Sequence, residues 1–236
     1  MSLVSFDGVS VSVPVPGQDR KQLLSGVDLR LSDTRIAVIG ANGSGKSTLL
    51  RLINGLIVPT RGEVTVNGLS TRSKGPKVRR QVGFVFTDPL SQLVMPTGRE
   101  DVELSLRASV RDRSSRHVAA ERVLADFGLL ELADQSIYDL SGGERQLLAL
   151  ATVLAMSPEI LVADEPTTLL DLRNGLRIGQ LLEELPQQLI FSTHDLDLAA
   201  RADRILVIDG GKVAYDGGPE TAIDFYRRLA AGGVQH

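Results

Sequence analysis

The chain contains no cysteine and no tryptophan, has three histidines, and draws 4% of its residues from the aromatics. Without thiols it can form no disulfide, present no thiolate nucleophile and ligate no metal through sulfur, and three histidines leave little for a histidine-built metal centre. Long hydrophobic runs are missing as well. The longest, LLALATVLAM from Leu147 to Met156, is about half of what a helix needs to span a bilayer. The opening MSLVSFDG has neither the basic nor the apolar region of a secretory leader. These absences predict a soluble, unsecreted chain, which can still work at a membrane by holding a partner that spans it. Basic charge is not in excess either: 26 Lys and Arg against 29 Asp and Glu give a formal net charge of -3, which argues against a nucleic-acid backbone as the main partner.

What is present suits one large domain. The 236 residues are 42% hydrophobic, enough to fill a sizeable core, and no repeat or low-complexity block divides them. Apolar runs bounded by turn residues predict strands at 9–13, 27–31 and 35–39, a hairpin-like piece in RGEVTVNG, and a further strand in RRQVGFVF. Helical spacing follows at 46–54, in two segments over 98–128, and at 142–155, 171–185 and 222–229. Between the later helices lie the apolar strands EILVAD and QQLIFS, then strands at 204–209 and 212–215. Near-continuous apolar strands alternating with helices predict an α/β fold with a mostly parallel core sheet covered on both faces. The expected organisation is a single domain over 1–236, with N-terminal antiparallel strands and a helical subdomain at about 98–157.

Three stretches carry chemistry. In GANGSGKST, residues 40–48, the glycines allow a turn tight enough to aim successive N–H groups at phosphate oxygens. The helix that follows adds its N-terminal field, Lys46 neutralises the terminal phosphates, and Ser47 offers a hydroxyl to Mg2+. In ILVADEPT a buried strand ends in two carboxylates, which suits Asp164 to hold the metal through water and Glu165 to polarise an attacking water. An acidic residue at a strand end is often only a cap, but phosphoryl transfer needs both groups and the phosphate loop is on the same chain. In LIFSTHD, His194 stands where a neutral imidazole could meet a γ-phosphate or the water. His117, beside Arg116 in a helical segment, reads as a solvated-face residue.

A second glycine turn, LSGGERQ from Leu140 to Gln146, opens another helix about a hundred residues after the first. As a serine N-cap it needs no further role, yet together with GANGSGKST, ILVADEPT and STHD it resembles the signature of the ATP-binding cassette family, with the motifs in family order across nearly the whole chain. The resemblance implies a P-loop NTPase cassette that hydrolyses ATP with Mg2+ in a head-to-tail homodimer, each signature closing on the other copy's nucleotide. It places nucleotide contacts at Gly40, Asn42, Gly43, Ser44, Gly45, Lys46, Ser47 and Thr48, with Val13 at the base. Across the dimer it places Ser141, Gly142, Gly143, Gln146 and the D-loop residue Asp171. It gives Lys46, Glu165 and His194 catalytic roles and Ser47 and Asp164 the metal. Leu169 stands where the family usually has a small residue.

A narrower resemblance lies in VGFVFTDPLSQLVMPTGREDV, Val82 to Val102, which is similar to the ATPases of energy-coupling factor importers at Phe86, Pro89, Gln92, Thr97, Glu100, Asp101 and Val102. There the family glutamine that senses magnesium and the attacking water is replaced by Thr87, so Gln92 or a water would have to restore the contact. Val13 replaces the usual aromatic at adenine, which predicts weaker base discrimination. The chain ends soon after its last helix, unlike many cobalt, nickel and general vitamin relatives, and is most similar to the ATPase of a biotin importer. The implied partners are a second copy, a transmembrane coupling protein and a separate membrane substrate-binding protein, with the chain peripheral on the cytoplasmic face of the membrane and no direct nucleic-acid binding. The alternatives are an importer for cobalt, nickel or another vitamin, another cassette transporter, or a soluble cassette acting on nucleic acid or ribosomes.

Overall fold

The computed structural model describes residues 2–232. Its centre is a six-stranded sheet in the order β10-β9-β3-β8-β7-β6, built from β3 (Arg35–Ile39), β6 (Val82–Val85), β7 (Ile160–Asp164), β8 (Gln188–Ser192), β9 (Arg204–Asp209) and β10 (Lys212–Gly217). All neighbours pair in parallel except β10, which runs antiparallel to β9. Beside it lies an antiparallel sheet, β2-β1-β4-β5, made of β1 (Val4–Val15), β2 (Gln18–Leu31), β4 (Arg61–Val66) and β5 (Leu69–Ser70).

The middle positions of the parallel strands lack polar side chains because both faces are covered, and their polar residues stand at the strand ends. Along β3, Ile36 and Val38 point into a core shared with the antiparallel sheet and α1 (Lys46–Ile53), whereas Ala37 and Ile39 point into the opposite core. That opposite core takes in α3 (Gly98–Leu106), α4 (Arg113–Asp126), α5 (Gly142–Leu154), α6 (Leu172–Glu184), α7 (Leu196–Ala199) and α8 (Pro219–Ala230). Val102, Ala120, Leu124 and Leu148 of the helical region are contiguous there with Leu161 and Phe191 of the sheet. Arg99 ties α3 to its neighbours through ion pairs with Glu121 at 2.9 Å and Asp134 at 2.7 Å.

Two local expectations are corrected. The first two strands are far longer than 9–13 and 27–31, because shifts of register around Phe6, Val9 and Val11 interrupt the alternation that marks a strand in sequence. Residues 79–81, expected as strand, close α2 (Gly75–Gln81), a short helix with proline in its first turn and Val78 as its inward side chain. The four-residue α7, capped by Asp195, was not anticipated. No described helix is long and apolar enough to cross a membrane.

Candidate active site

β3 delivers the chain directly into the loop before α1. Gly40, at φ 150°, passes so close to β9 that a Cβ would lie 2.2 Å from the Ile208 carbonyl oxygen, so no larger residue fits. α1 starts without a side-chain cap on its first N–H groups, which leaves the helix terminus able to meet an anion. Lys46 is 6% exposed, and its Nζ donates to the carbonyls of Gly40 at 2.9 Å and Ala41 at 3.3 Å. Burial pulls its pKa below the ordinary lysine value, opposed by the charges of Glu165 and Asp164.

The end of β7 faces this loop. Asp164 is 1% exposed; its Oδ1 accepts from Ser47 Oγ at 3.0 Å and from Ser192 Oγ at 2.8 Å, and its Oδ2 lies 3.8 Å from Arg51 Nη2. Glu165 turns the chain at φ 52°, an unusual conformation for a non-glycine residue. Its N–H donates to Ser192 Oγ at 2.9 Å, and its Oε2 accepts from Thr168 Oγ1 at 2.8 Å. The other oxygen, Oε1, is buried 3.0 Å from His194 Nε2 and 3.7 Å from Lys46 Nζ, with a hydrogen bond to neither. Lys46 and His194 approach each other to 3.5 Å. One oxygen is thus anchored and the other is left facing a cation and an imidazole.

A cavity of about 450 Å³ lies over these groups, lined by Asn42, Gly43, Gly45, Lys46, Ser47, Thr48, Thr87, Glu165 and His194, with Lys21, Leu23 and Thr168. Val13 pairs with Lys21 across the β1–β2 hairpin and is 37% exposed. Ser44 lies beneath, its hydroxyl buried without a partner.

The ABC transporter family profile matches residues 24–168. The chain belongs to the ABC transporter family. It is an ATPase cassette of that family, 43% identical over 208 residues to the biotin transport ATP-binding protein BioM of Rhizobium etli, covering 88% of this chain and 92% of that protein. It is 38% identical over 204 residues to the energy-coupling factor transporter ATP-binding protein EcfA1 of Halalkalibacterium halodurans, covering 84% and 73%. Among solved structures it resembles an ATP-binding cassette captured as a dimer in a post-hydrolysis state with ADP and Pi, at 31% identity and a TM-score of 0.83, covering 92% of this chain and 98% of that one.

Other motif residues of this cassette lie off the phosphate-loop cavity. Ser141 caps α5 in a reciprocal box with Glu144, its N–H on Glu144 Oε2 at 2.7 Å and its Oγ accepting from Glu144 N at 3.3 Å. The cap and the signature are therefore the same residue, with the hydroxyl proton still free to point outward. A Cβ on Gly143 would fall 2.5 Å from Asn174 Cγ, and Asn174 is itself bonded to Asp171, the N-cap of α6. Signature and D-loop thus meet through one asparagine. Gln146 is buried beneath the signature with its Nε2 unpartnered. Gln92, expected near the nucleotide, turns instead to Phe86 N at 3.3 Å and the Ala149 carbonyl at 2.8 Å. Asp171 shares a groove of about 450 Å³ with Leu172, Leu176 and His194.

Ser192 and Thr168 were missed by sequence reasoning. Ser192 could have been found as the hydroxyl closing the otherwise apolar LIFS, and Thr168 as the hydroxyl three residues after Glu165.

Proposed function

We propose that this cassette is the ATPase subunit of an energy-coupling factor importer for biotin, working as a homodimer on the cytoplasmic face of the membrane. The observation that carries the reading is the 43% identity, over 88% of the chain, to a biotin transport ATP-binding protein; the likeness to EcfA1 supports the wider class. The homodimer is supported by the separation of the signature from the phosphate-loop cavity, whose lining residues come from other parts of the chain. It is supported too by the dimeric relative, and by Leu169, Leu172 and Leu176, which stand 63%, 80% and 55% exposed beside Asp171.

In the reaction, the α1 terminus and Lys46 hold the β- and γ-phosphates, and Glu165 Oε1 orients a water and takes its proton as that water's oxygen bonds to the γ-phosphorus and the bond to ADP breaks. His194 steadies the transferred phosphoryl group. Ser47 and Asp164 form an all-oxygen set that fits Mg2+ and would hold it, where the ion would neutralise phosphate charge. Ser141 and Gly143 of the second copy would complete the γ-phosphate site.

An exposed apolar groove supports a membrane coupling protein as a partner. Leu56, Val94, Leu104 and Met156, all more than 40% exposed, border a groove of about 370 Å³ between the sheet and the helical region. The test is uptake of labelled biotin by vesicles holding this chain with a coupling protein and a substrate-binding membrane protein, against the same complex with Glu165→Gln. Uptake that depends on Glu165 is expected. Transport of cobalt, nickel or another vitamin instead would overturn biotin, and intact ATPase without transport of any would overturn the importer reading.

A further inference from the structure

The chain as a whole is acidic, yet Arg72, Lys74, Lys77, Arg79 and Arg80 put five cations into nine residues, and no Asp or Glu occurs between Glu63 and Asp88. All five are exposed. The lysines and arginines that form ion pairs, Lys46, Arg51, Arg99, Arg201, Arg204 and Arg227, lie outside this segment, and none of the five has a carboxylate partner among the described residues. Helix polarity explains part of the cluster: Arg79 and Arg80 stand in the last turn of α2, where positive charge is favoured. Arg72, Lys74 and Lys77 precede that turn and have no such reason.

The cations sit on a firm base. Lys74 N donates to the Ser70 carbonyl at 2.8 Å and Val78 N to the Lys74 carbonyl at 3.1 Å, with the Val78 side chain fully buried beneath α2. Arg72 donates to the Pro59 carbonyl. Arg79 lies over two glycines: a Cβ on Gly75 would be 3.0 Å from its Nη1, and one on Gly55 would be 3.8 Å away. These contacts bring the loop between α1 and β4 alongside α2, and Leu56 and Val58 of that loop are each 45% exposed. Exposed apolar side chains therefore border the cations. Arg79 and Leu56 also reach the groove between sheet and helices, on the face assigned above to a membrane coupling protein.

We infer that this face rests on anionic phospholipid headgroups, with Arg72, Lys74, Lys77, Arg79 and Arg80 over the lipid phosphates and Leu56 and Val58 toward the acyl boundary. Unpaired like charges this close repel one another in the free protein, and a surface of mobile anions relieves that repulsion. A polynucleotide is the poorer match, because residues 54–80 contain no aromatic on which a base could stack. A defined acidic segment of a protein fits less well too. Arg72, Lys74, Lys77 and Arg80 line neither groove described above, so they offer a broad surface rather than a cleft. That the face turns toward a bilayer rests on the importer reading; its affinity for anionic lipid does not.

The test is sedimentation of the whole cassette, without nucleotide, with vesicles of phosphatidylcholine alone or with about one third phosphatidylglycerol. Binding is expected to the mixed vesicles and not to the neutral ones, and should weaken at least about tenfold as salt rises from about 0.05 to about 0.5 M. Each cation near an anionic surface adds about fivefold, so Lys74→Gln, Lys77→Gln and Arg80→Gln together should lower binding by about a hundredfold. These side chains are exposed, so the unfolding midpoint and phosphate release of that variant should stay as in the unaltered chain. Lys74→Arg, Lys77→Arg and Arg80→Lys together keep the charge and should bind as the unaltered chain does.

Equal binding to neutral vesicles, binding to neither kind, or full binding by the glutamine variant would overturn the inference. So would a loss in the charge-keeping variant as large as in the glutamine one. Polyuridylate or polyglutamate that strips the cassette from the mixed vesicles at a charge concentration below that of the phosphatidylglycerol would also overturn it, giving the face to nucleic acid or to an acidic protein segment. No biotin, coupling protein or ATP enters these assays, so a failure of lipid binding and a failure of vesicle uptake are separate results.

Discussion

Replacing Ser192 by alanine removes one oxygen from the centre of the site and disturbs both carboxylates. The residue is fully buried, and its hydroxyl donates to Asp164 Oδ1 at 2.8 Å while accepting from the Glu165 N–H at 2.9 Å. In Ser192→Ala, Asp164 Oδ1 keeps Ser47 Oγ at 3.0 Å, but the Glu165 N–H loses its partner in a residue that is 8% exposed. An orphaned buried donor costs about 1–3 kcal/mol and a lost bond to a carboxylate somewhat more than a neutral one, so about 3 kcal/mol in all is expected. For a chain of this size that corresponds to a fall of about 6–12 °C in the unfolding midpoint.

The functional consequence follows from the backbone. Glu165 adopts φ 52°, a conformation that persists only where its surroundings hold it, and the Ser192 bond is one of the restraints. Scanning calorimetry of the nucleotide-free protein measures the stability term, and phosphate release measures the loosening of Glu165, expected as a loss of about tenfold in kcat with ATP binding preserved. A midpoint shift below about 2 °C together with an unchanged kcat would refute the assignment of Ser192 as the brace of both carboxylates.

Glu165→Gln should keep ATP binding and trap a nucleotide-bound dimer while lowering turnover by at least about a hundredfold; near-normal phosphate release would remove the water-orienting role. Ser44→Cys on one tagged copy and Ser141→Cys on another should crosslink between copies when ATP is present, and crosslinks confined to single chains would refute the head-to-tail arrangement. Asp112 caps α4, and hydrogen bonds from the backbone and hydroxyl of Ser115 and from Ser114 pull its pKa from 3.8 down to about 2. A carboxylate held low in the folded state lends stability above its unfolded value and loses it as pH falls through the folded one, so the acid limb of the unfolding curve below about pH 4 should become shallower in Asp112→Asn. An identical limb would show that the cap bonds lend nothing to acid stability.

The sequence reveals some of this site and hides the rest for a physical reason. Gly40, Lys46 and Ser47 are legible because a loop that cradles phosphate fixes residue types at fixed spacings within one short stretch, and Asp164 with Glu165 is legible because charge at the end of an apolar strand is conspicuous. Ser192 is hidden because its partner lies 28 residues away on the neighbouring strand; a serine ending LIFS looks like any strand terminus until β8 is set beside β7. Residues 79–81 were misjudged because a helix of two turns offers too few positions for its period to show, and the apolar run that follows it extends the strand pattern backwards.

Thr87 and Gln92 mark the boundary between these cases. The departure at 87 is visible in the sequence, because a threonine stands where the resemblance calls for a glutamine, and that alone identifies the segment as altered. Where Gln92 turns is not visible. From a turn after β6 its amide could reach the nucleotide, the water or the helical region, and these destinations differ by the rotation of a few side-chain bonds. The fold decides among them by bringing the Ala149 carbonyl to 2.8 Å from Nε2. That carbonyl also accepts from Thr152 Oγ1 at 2.9 Å, so a hydroxyl of the helix and an amide from outside it meet at one oxygen. The helix is tied to Gln92 at this one turn, and the tie lies between the groove and the signature.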